Sequence, residues 1–380
     1  MGYSNVSNVV RKVSLNMKIL LITNEYYNFF KFRNNLINSL LAQKINFKLS
    51  LLARFDGYEN NFLLNKINNY NINIVSRSFG LLSNINNFLS LIKKILFIKP
   101  KIVITFTIKP NLYLCILKYF FQFKLVTNIT GLGEVFLNHN FKYKLLRIFF
   151  INLLSKSDLI ICQNEDDIEY IISKNIKLKD KIKLIPGSGI RINKFTYNNN
   201  EKINFLFVGR IIKEKGVIEY IKAANLISEK YKKQAKFHII GQTYENNKFN
   251  KFFFDMLENS NMIYLGYQDN IDSFIAESDC VVLPSYREGL SKFLLEGLSF
   301  GKPLITTNVP GCKQLVKDNY NGFVVNAKDV ASLSKSLVDF IELSHNKKYE
   351  FSINSYNLSK SYSHDRINDL YINYINKLVR

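Results

Sequence analysis

The stretch SDCVVLPSYREGLSKFLLEGLSFGKPLITTNVPGCKQ, residues 278–314, decides how this chain is read. Cys280–Leu283 carries no charge, as expected of a strand buried on both faces. The run ends at Ser285, a short loop holds Glu288 and Gly289, and Ser291–Phe300 then follows a helical period. Pro303–Thr306 is the next apolar strand. Strand, helix and strand in this order make a βαβ unit. The same alternation extends outward. Upstream come a strand at Phe205–Val208, a helix at Val217–Glu229, strands at Lys236–Ile240 and Ile263–Leu265, and a helix at Ile271–Glu277. Gly322–Val325 is a strand downstream. An earlier series starts with MKILLITN at 17–24. It continues with a helix over Phe32–Lys44, strands at Phe47–Leu52 and Ile72–Val75, and a helix over 85–98. Strands at Ile102–Phe106 and Lys124–Ile129, a helix over 141–156 and a strand at Leu159–Cys162 complete it. The prediction is an α/β protein of two doubly wound parallel sheets.

The chain has 380 residues, with 47% hydrophobic and 22% charged, enough for two packed domains. The polar, Asn-rich segment 191–202 reads as the linker. The expected organisation is an extension at 1–16, a first domain at 17–190 and a second at 191–360. A last helix over about 361–380 is expected to pack back on the first domain. Residues 1–16 include Arg11 and Lys12 but no apolar centre, which does not read as a secretory leader. No apolar run reaches the roughly 18 residues that span a bilayer. The four cysteines form no CxxC pair and the four histidines no HExxH, so neither a disulfide framework nor a zinc site is expected. Neither a GxxxxGK[ST] phosphate loop nor an Asp-x-Asp pair occurs. The net charge of +22 is uneven: residues 1–190 hold 26 basic and 10 acidic side chains. The first half is therefore expected to meet something anionic.

Two constellations carry chemistry. A glycine beside a helix start lets backbone N–H groups approach an anion, and the helix dipole favours it there. Glu288 in the loop and Glu296 inside the helix can then reach hydroxyl groups on either side of that anion, as a nucleotide sugar would require. Alternatively Glu288 is a surface acid and Glu296 a solvated helix residue. The second constellation follows the strand 205–208: Gly209, Arg210, then Lys215 and Gly216 before a helix. A guanidinium and an ammonium at a strand's carboxyl end can hold a diphosphate; the alternative is an exposed basic turn.

VGRIIKEKG (208–216), Glu288-x7-Glu296 within SYREGLSKFLLEGLSFGKP (285–303), TTNVPGCKQLV (306–316) and NGFVV (321–325) together resemble the retaining family 4 glycosyltransferases of GT-B fold. NITGLGEVF (128–136) and NFFKFR (28–33) resemble bacterial members that build lipid-linked oligosaccharides and surface polysaccharides. The resemblance implies two Rossmann-like domains facing across a cleft. It implies that Arg210 and Lys215 hold the donor diphosphate, Glu296 the ribose and Glu288 the transferred sugar. The Gly289-Leu290 backbone would touch phosphate or sugar. Arg33, Gly131, Gly133, Glu134 and His139 become acceptor-side candidates. The sequence departs from the family in lacking paired glycines in the first loop and in having Arg191 where Asp is common.

The expected function is transfer of a hexose or N-acetylhexosamine from a UDP-sugar to a polyprenyl-diphosphate-linked saccharide, with retention. No metal or other cofactor is expected, because Arg210 and Lys215 neutralise the leaving group. The expected partners are the donor, the lipid-linked acceptor and an anionic membrane surface, with no nucleic acid. The expected place is the cytoplasm, peripheral on the inner face of the cell membrane. Segments 89–99, 112–124 and 142–154 pair bulky apolar residues with Lys and Arg, as interfacial helices do. The competing readings are a nucleotide-sugar epimerase, a transferase to a soluble acceptor and a nucleic-acid-binding protein.

Overall fold

A computed structural model describes residues 17–43, 47–62, 67–74, 81–133, 140–198, 200–243 and 248–379. The first sheet has seven strands: β1 (Met17–Glu25), β2 (Phe47–Arg54), β3 (Ile67–Asn71), β4 (Ile102–Thr105), β5 (Lys124–Ile129), β6 (Leu159–Cys162) and β7 (Ile182–Leu184). Their order is β3-β2-β1-β4-β5-β6-β7. The second has six: β8 (Ile203–Val208), β9 (Ala235–Ile240), β10 (Met262–Tyr264), β11 (Cys280–Leu283), β12 (Leu304–Thr307) and β13 (Gly322–Val325). They run β10-β9-β8-β11-β12-β13, and every pairing is parallel. β1, β4, β11 and β12 are buried almost throughout, which explains their unbroken apolar sequence.

The chain divides into two compact units. One runs to Asn128 and includes Asn152–Ile160; the other comprises Ile129–Ile151 and Ile161–Lys377. The second unit is packed around Phe205, Phe207, Tyr220, Phe237 and Phe340, with Phe205 and Phe237 stacked at 5.3 Å. In this unit Ile190 bridges to Ser363, and the helix His364–Val379 buries Ile367, Tyr371 and Ile375.

Three sequence expectations need correction. The third strand is Ile67–Asn71, not Ile72–Val75; Val75 lies outside the described residues. β3 is an edge strand whose residues are half exposed, so it lacks the apolar pattern. Ile72 and Ile74 are buried beyond its end. The helix expected over Phe32–Lys44 is two helices, Tyr26–Phe32 and Asn34–Leu41, separated at Arg33. Arg33 is buried with its guanidinium 4.5 Å from the Phe106 ring centre, so its position is set by packing rather than by helical period. Segment 112–124 is not an interfacial helix. Its helical part belongs to Ile108–Leu117, where Tyr113, Leu114, Cys115 and Leu117 are core residues.

Candidate functional site

In the second sheet the chain proceeds from β8 to β9 and β10 on one side and from β11 to β12 and β13 on the other. β8 and β11 are direct neighbours, with Phe205 opposite Cys280 and Leu206 opposite Val281. A crevice opens where strand order reverses in this way, at the carboxyl ends of the two strands. Gly209 and Arg210 leave one of these ends, and Ser285 to Glu288 the other.

Glycines bring the two segments together. Gly209 N–H donates to the Ile240 carbonyl at 3.0 Å. A Cβ on Gly241 would lie 1.8 Å from the Gly209 oxygen, so only glycine fits there. After the turn Lys213–Lys215, Gly216 adopts φ +72°, and a Cβ on it would lie 2.0 Å from the Pro284 carbonyl oxygen. This close approach sets the start of the helix Val217–Tyr231 against the end of β11. The Glu214 carbonyl then accepts from Tyr286 N–H at 2.8 Å and from the Ser285 hydroxyl at 3.1 Å.

The outcome is a direct pairing of two sequence-predicted residues. Lys215 Nζ lies 2.5 Å from Glu288 Oε1, with side chains only 19% and 13% exposed. Arg210 is exposed beyond the end of β8. Glu288 N–H donates to the Pro310 carbonyl at 3.0 Å and Ser291 N–H to the Gly311 carbonyl at 2.9 Å. Ser291 caps the helix Lys292–Ser299 by accepting from Leu294 N–H. Leu290 is buried beside this cap. Glu296 sits on the helix, half-buried, with Lys292 Nζ 3.9 Å from its Oε1. Burial and then the Glu288 charge push the Cys312 thiol up to about 12, so it is a neutral packing residue.

The first-half candidates fare differently. Gly131 has φ +116°, and a Cβ on it would lie 3.0 Å from Gly289 N and Cα, so the structure does bring it to the Glu288 loop. Gly133 is exposed with φ +65°. Glu134 and His139 lie outside the described residues. Arg33 lies in the other unit. Among the described residues no cluster of three His, Cys, Asp or Glu could hold a metal ion.

Sequence reasoning missed several residues around the loop. Tyr286 donates from its hydroxyl to Glu219 Oε1 at 2.7 Å, and burial followed by that carboxylate raises its phenol pKa. Arg287 forms an ion pair with Asp167, and Asp166 lies 2.5 Å from Lys313 Nζ. Burial raises the Asp167 carboxyl despite Arg287. A signal for these acids exists: Asn164 followed by Glu165, Asp166 and Asp167 is an N-cap with a negative first turn, favourable at a helix start.

Residues 190–358 match the family described as Glycosyl transferases group 1. They contain both motifs at the β8 and β11 ends. Two curated relatives are similar. One is the N,N'-diacetylbacillosaminyl-diphospho-undecaprenol alpha-1,3-N-acetylgalactosaminyltransferase of Campylobacter jejuni, 28% identical over 56% of this chain and 60% of that protein. The other is the UDP-Gal:alpha-D-GlcNAc-diphosphoundecaprenol alpha-1,3-galactosyltransferase of Escherichia coli, 30% identical over 61% of this chain and 64% of that protein. The chain thus spans under two thirds of either relative's length. The solved structure of Anabaena HepE with UDP and glucose superimposes with a TM-score of 0.77 at 16% identity, covering 95% of this chain and 99% of that one. The fold is GT-B.

Proposed function

We propose that the protein is a retaining glycosyltransferase that moves a hexose or N-acetylhexosamine from a UDP-sugar to a polyprenyl-diphosphate-linked saccharide. The observation that carries this reading is the placement of Lys215, Glu288 and Arg210 at the carboxyl ends of neighbouring strands β8 and β11. Breaking the bond between sugar C1 and phosphate gives an oxocarbenium-like transition state beside a departing diphosphate. Positive charge aimed at that diphosphate is the largest help a protein can provide. Lys215 is held in place by Glu288 before any ligand arrives. On binding, the ammonium is shared with the diphosphate and Arg210 adds a second cation. Glu288 is then positioned for hydroxyls of the sugar, and Glu296 for those of the ribose. Attack on the face from which the diphosphate leaves, with that diphosphate accepting the acceptor's proton, retains the configuration. No metal is needed in this scheme, because two cationic side chains meet the developing charge.

The relatives named above act, by name, on diphospho-undecaprenol-linked saccharides, and the galactosyltransferase uses UDP-Gal. These names support the choice of donor and acceptor. A peripheral position on the inner face of the cell membrane follows from such an acceptor. The helix Phe141–Leu153 supports it: Phe141, Leu145, Leu146, Ile148 and Phe149 are exposed on an element that also bears Lys144 and Arg147. Among the described residues no helix is long and apolar enough to cross a membrane. The test is incubation with radiolabelled nucleotide sugars and a membrane extract. Label transferred into lipid is the expected result. Sugar interconversion without transfer would indicate an epimerase, and absence of both would overturn the reading.

A further inference from the structure

The loop carrying Glu288 and Gly289 is gripped from a distant stretch of the same unit, the start of the helix Glu165–Lys174. Asn164 caps that helix by accepting from Asp167 N–H at 2.8 Å, and its side-chain amide donates to the Gly289 carbonyl at 2.6 Å. Asp167 has no exposed surface and forms an ion pair with Arg287, the residue before Glu288. Asp166 accepts from Lys313 and Gln314, both at 2.5 Å. Gln314 in turn accepts from Gly311 N–H at 2.8 Å. Pro310 and Gly311 supply the carbonyls that receive Glu288 and Ser291. A Cβ on Gly289 would lie 2.1 Å from the Thr130 oxygen and 2.7 Å from Gln163 Oε1. Every backbone group that aims Glu288 and Gly289 therefore traces back, within one or two contacts, to residues 163–167.

Such an arrangement is expensive as a way of gaining stability. A buried ion pair repays its desolvation poorly, and apolar side chains of the same volume often hold a fold as well. What charges and directed hydrogen bonds provide instead is a single geometry. Transfer chemistry demands that, since a displacement of about 1 Å costs on the order of a hundredfold in rate.

We infer that Asn164 and Asp167 are positioning residues for sugar transfer: they fix the Glu288 carboxylate and the Gly289 backbone where the transferred sugar must lie. This rests on the reading of Glu288 and Gly289 as sugar-side contacts. The diphosphate contacts Arg210 and Lys215 are carried by a different support, the turn after β8. The two supports predict a split between turnover and nucleotide binding.

Two variants test it. Asn164→Ser retains a capping oxygen but is too short to reach the Gly289 carbonyl, and Asp167→Asn retains shape without charge. In each, kcat for UDP release in the presence of membrane extract is expected to fall about a hundredfold. Affinity for UDP, measured by calorimetry, is expected to stay within about threefold of the parent, because UDP lacks the sugar. Asp167→Glu restores the charge and is expected to recover part of the lost turnover. Parental kcat in a folded Asn164→Ser variant would overturn the inference, even if Asp167→Asn fails to fold. So would a loss of UDP affinity in step with melting temperature, which marks general damage. Arg210→Ala and Lys215→Ala are measured alongside. If both bind UDP like the parent, the site reading falls and takes this inference with it. If they lose UDP while Asn164→Ser turns over normally, only the positioning role is lost.

Discussion

Lys215 and Glu288 are 73 residues apart in sequence and 2.5 Å apart in space. Their pairing makes the free site a preformed one: the ammonium is desolvated and oriented before a diphosphate competes for it. Removing it should cost mainly transition-state energy. Lys215→Ala and Arg210→Ala are each expected to lower kcat about a hundredfold, on the order of 3 kcal/mol, measured as UDP release under saturating donor. Glu296→Gln is expected to raise the donor KM instead, because a ribose contact is the same in ground and transition states. Gly216 gives a stability prediction at the same scale. Its φ of +72° and the 2.0 Å approach of a Cβ to the Pro284 oxygen leave no room for a side chain. Gly216→Ala is expected to destabilise by about 3 kcal/mol, seen as a lower urea midpoint.

Among elements, the helix Phe141–Leu153 differs most from its surroundings. Phe150, Ile151 and Leu153 pack inward while five large apolar side chains face solvent. Exposed singly they would be unremarked; grouped on one short helix beside Lys144 and Arg147 they suit the interface of an anionic bilayer. The helix Leu81–Ile98 shares part of this character, with Leu89, Leu96 and Phe97 exposed and Leu91, Ile95 and Ile98 buried. Replacing Leu145 and Phe149 together by Ser is expected to abolish flotation with phosphatidylglycerol vesicles at low salt. The fold is expected to persist, because neither side chain is in the core. Flotation should also weaken at high salt, since each basic residue contributes only about 1 kcal/mol and is screened. Full flotation of the double variant would rule this helix out as the contact.

Over the whole molecule, His238 and His364 couple the fold to pH. Burial, and then Lys236 beside His238 and Lys292 beside His364, lowers both imidazole pKa values. The unfolded chain therefore binds more protons below about pH 6.5, so their contribution is complete above that value and lost as pH falls through the lower folded values. Melting temperature is expected to drop between pH 7.5 and 5.5, and less steeply in His238→Gln/His364→Gln. The buried Asp167 and Asp279 carboxyls, raised by desolvation, act in the opposite sense, which is why the comparison with the double variant is the decisive measurement. The sequence by itself determined what is local: buried strands, their alternation with helices, the glycines beside helix starts and the two motifs at strand ends. Apolar period and turn chemistry act over a few residues, so they are legible without the fold. Edge strand β3 escaped because half-exposed residues carry little period. Only the tertiary structure decided which strand ends are neighbours, since strand order depends on crossovers that leave no local trace. It alone joined Lys215 to Glu288, made segment 112–124 core, and brought Asp167, 120 residues away in sequence, against Arg287. A carboxylate at a helix start looks the same whether it faces water or a buried guanidinium, and burial is a property of the assembled chain.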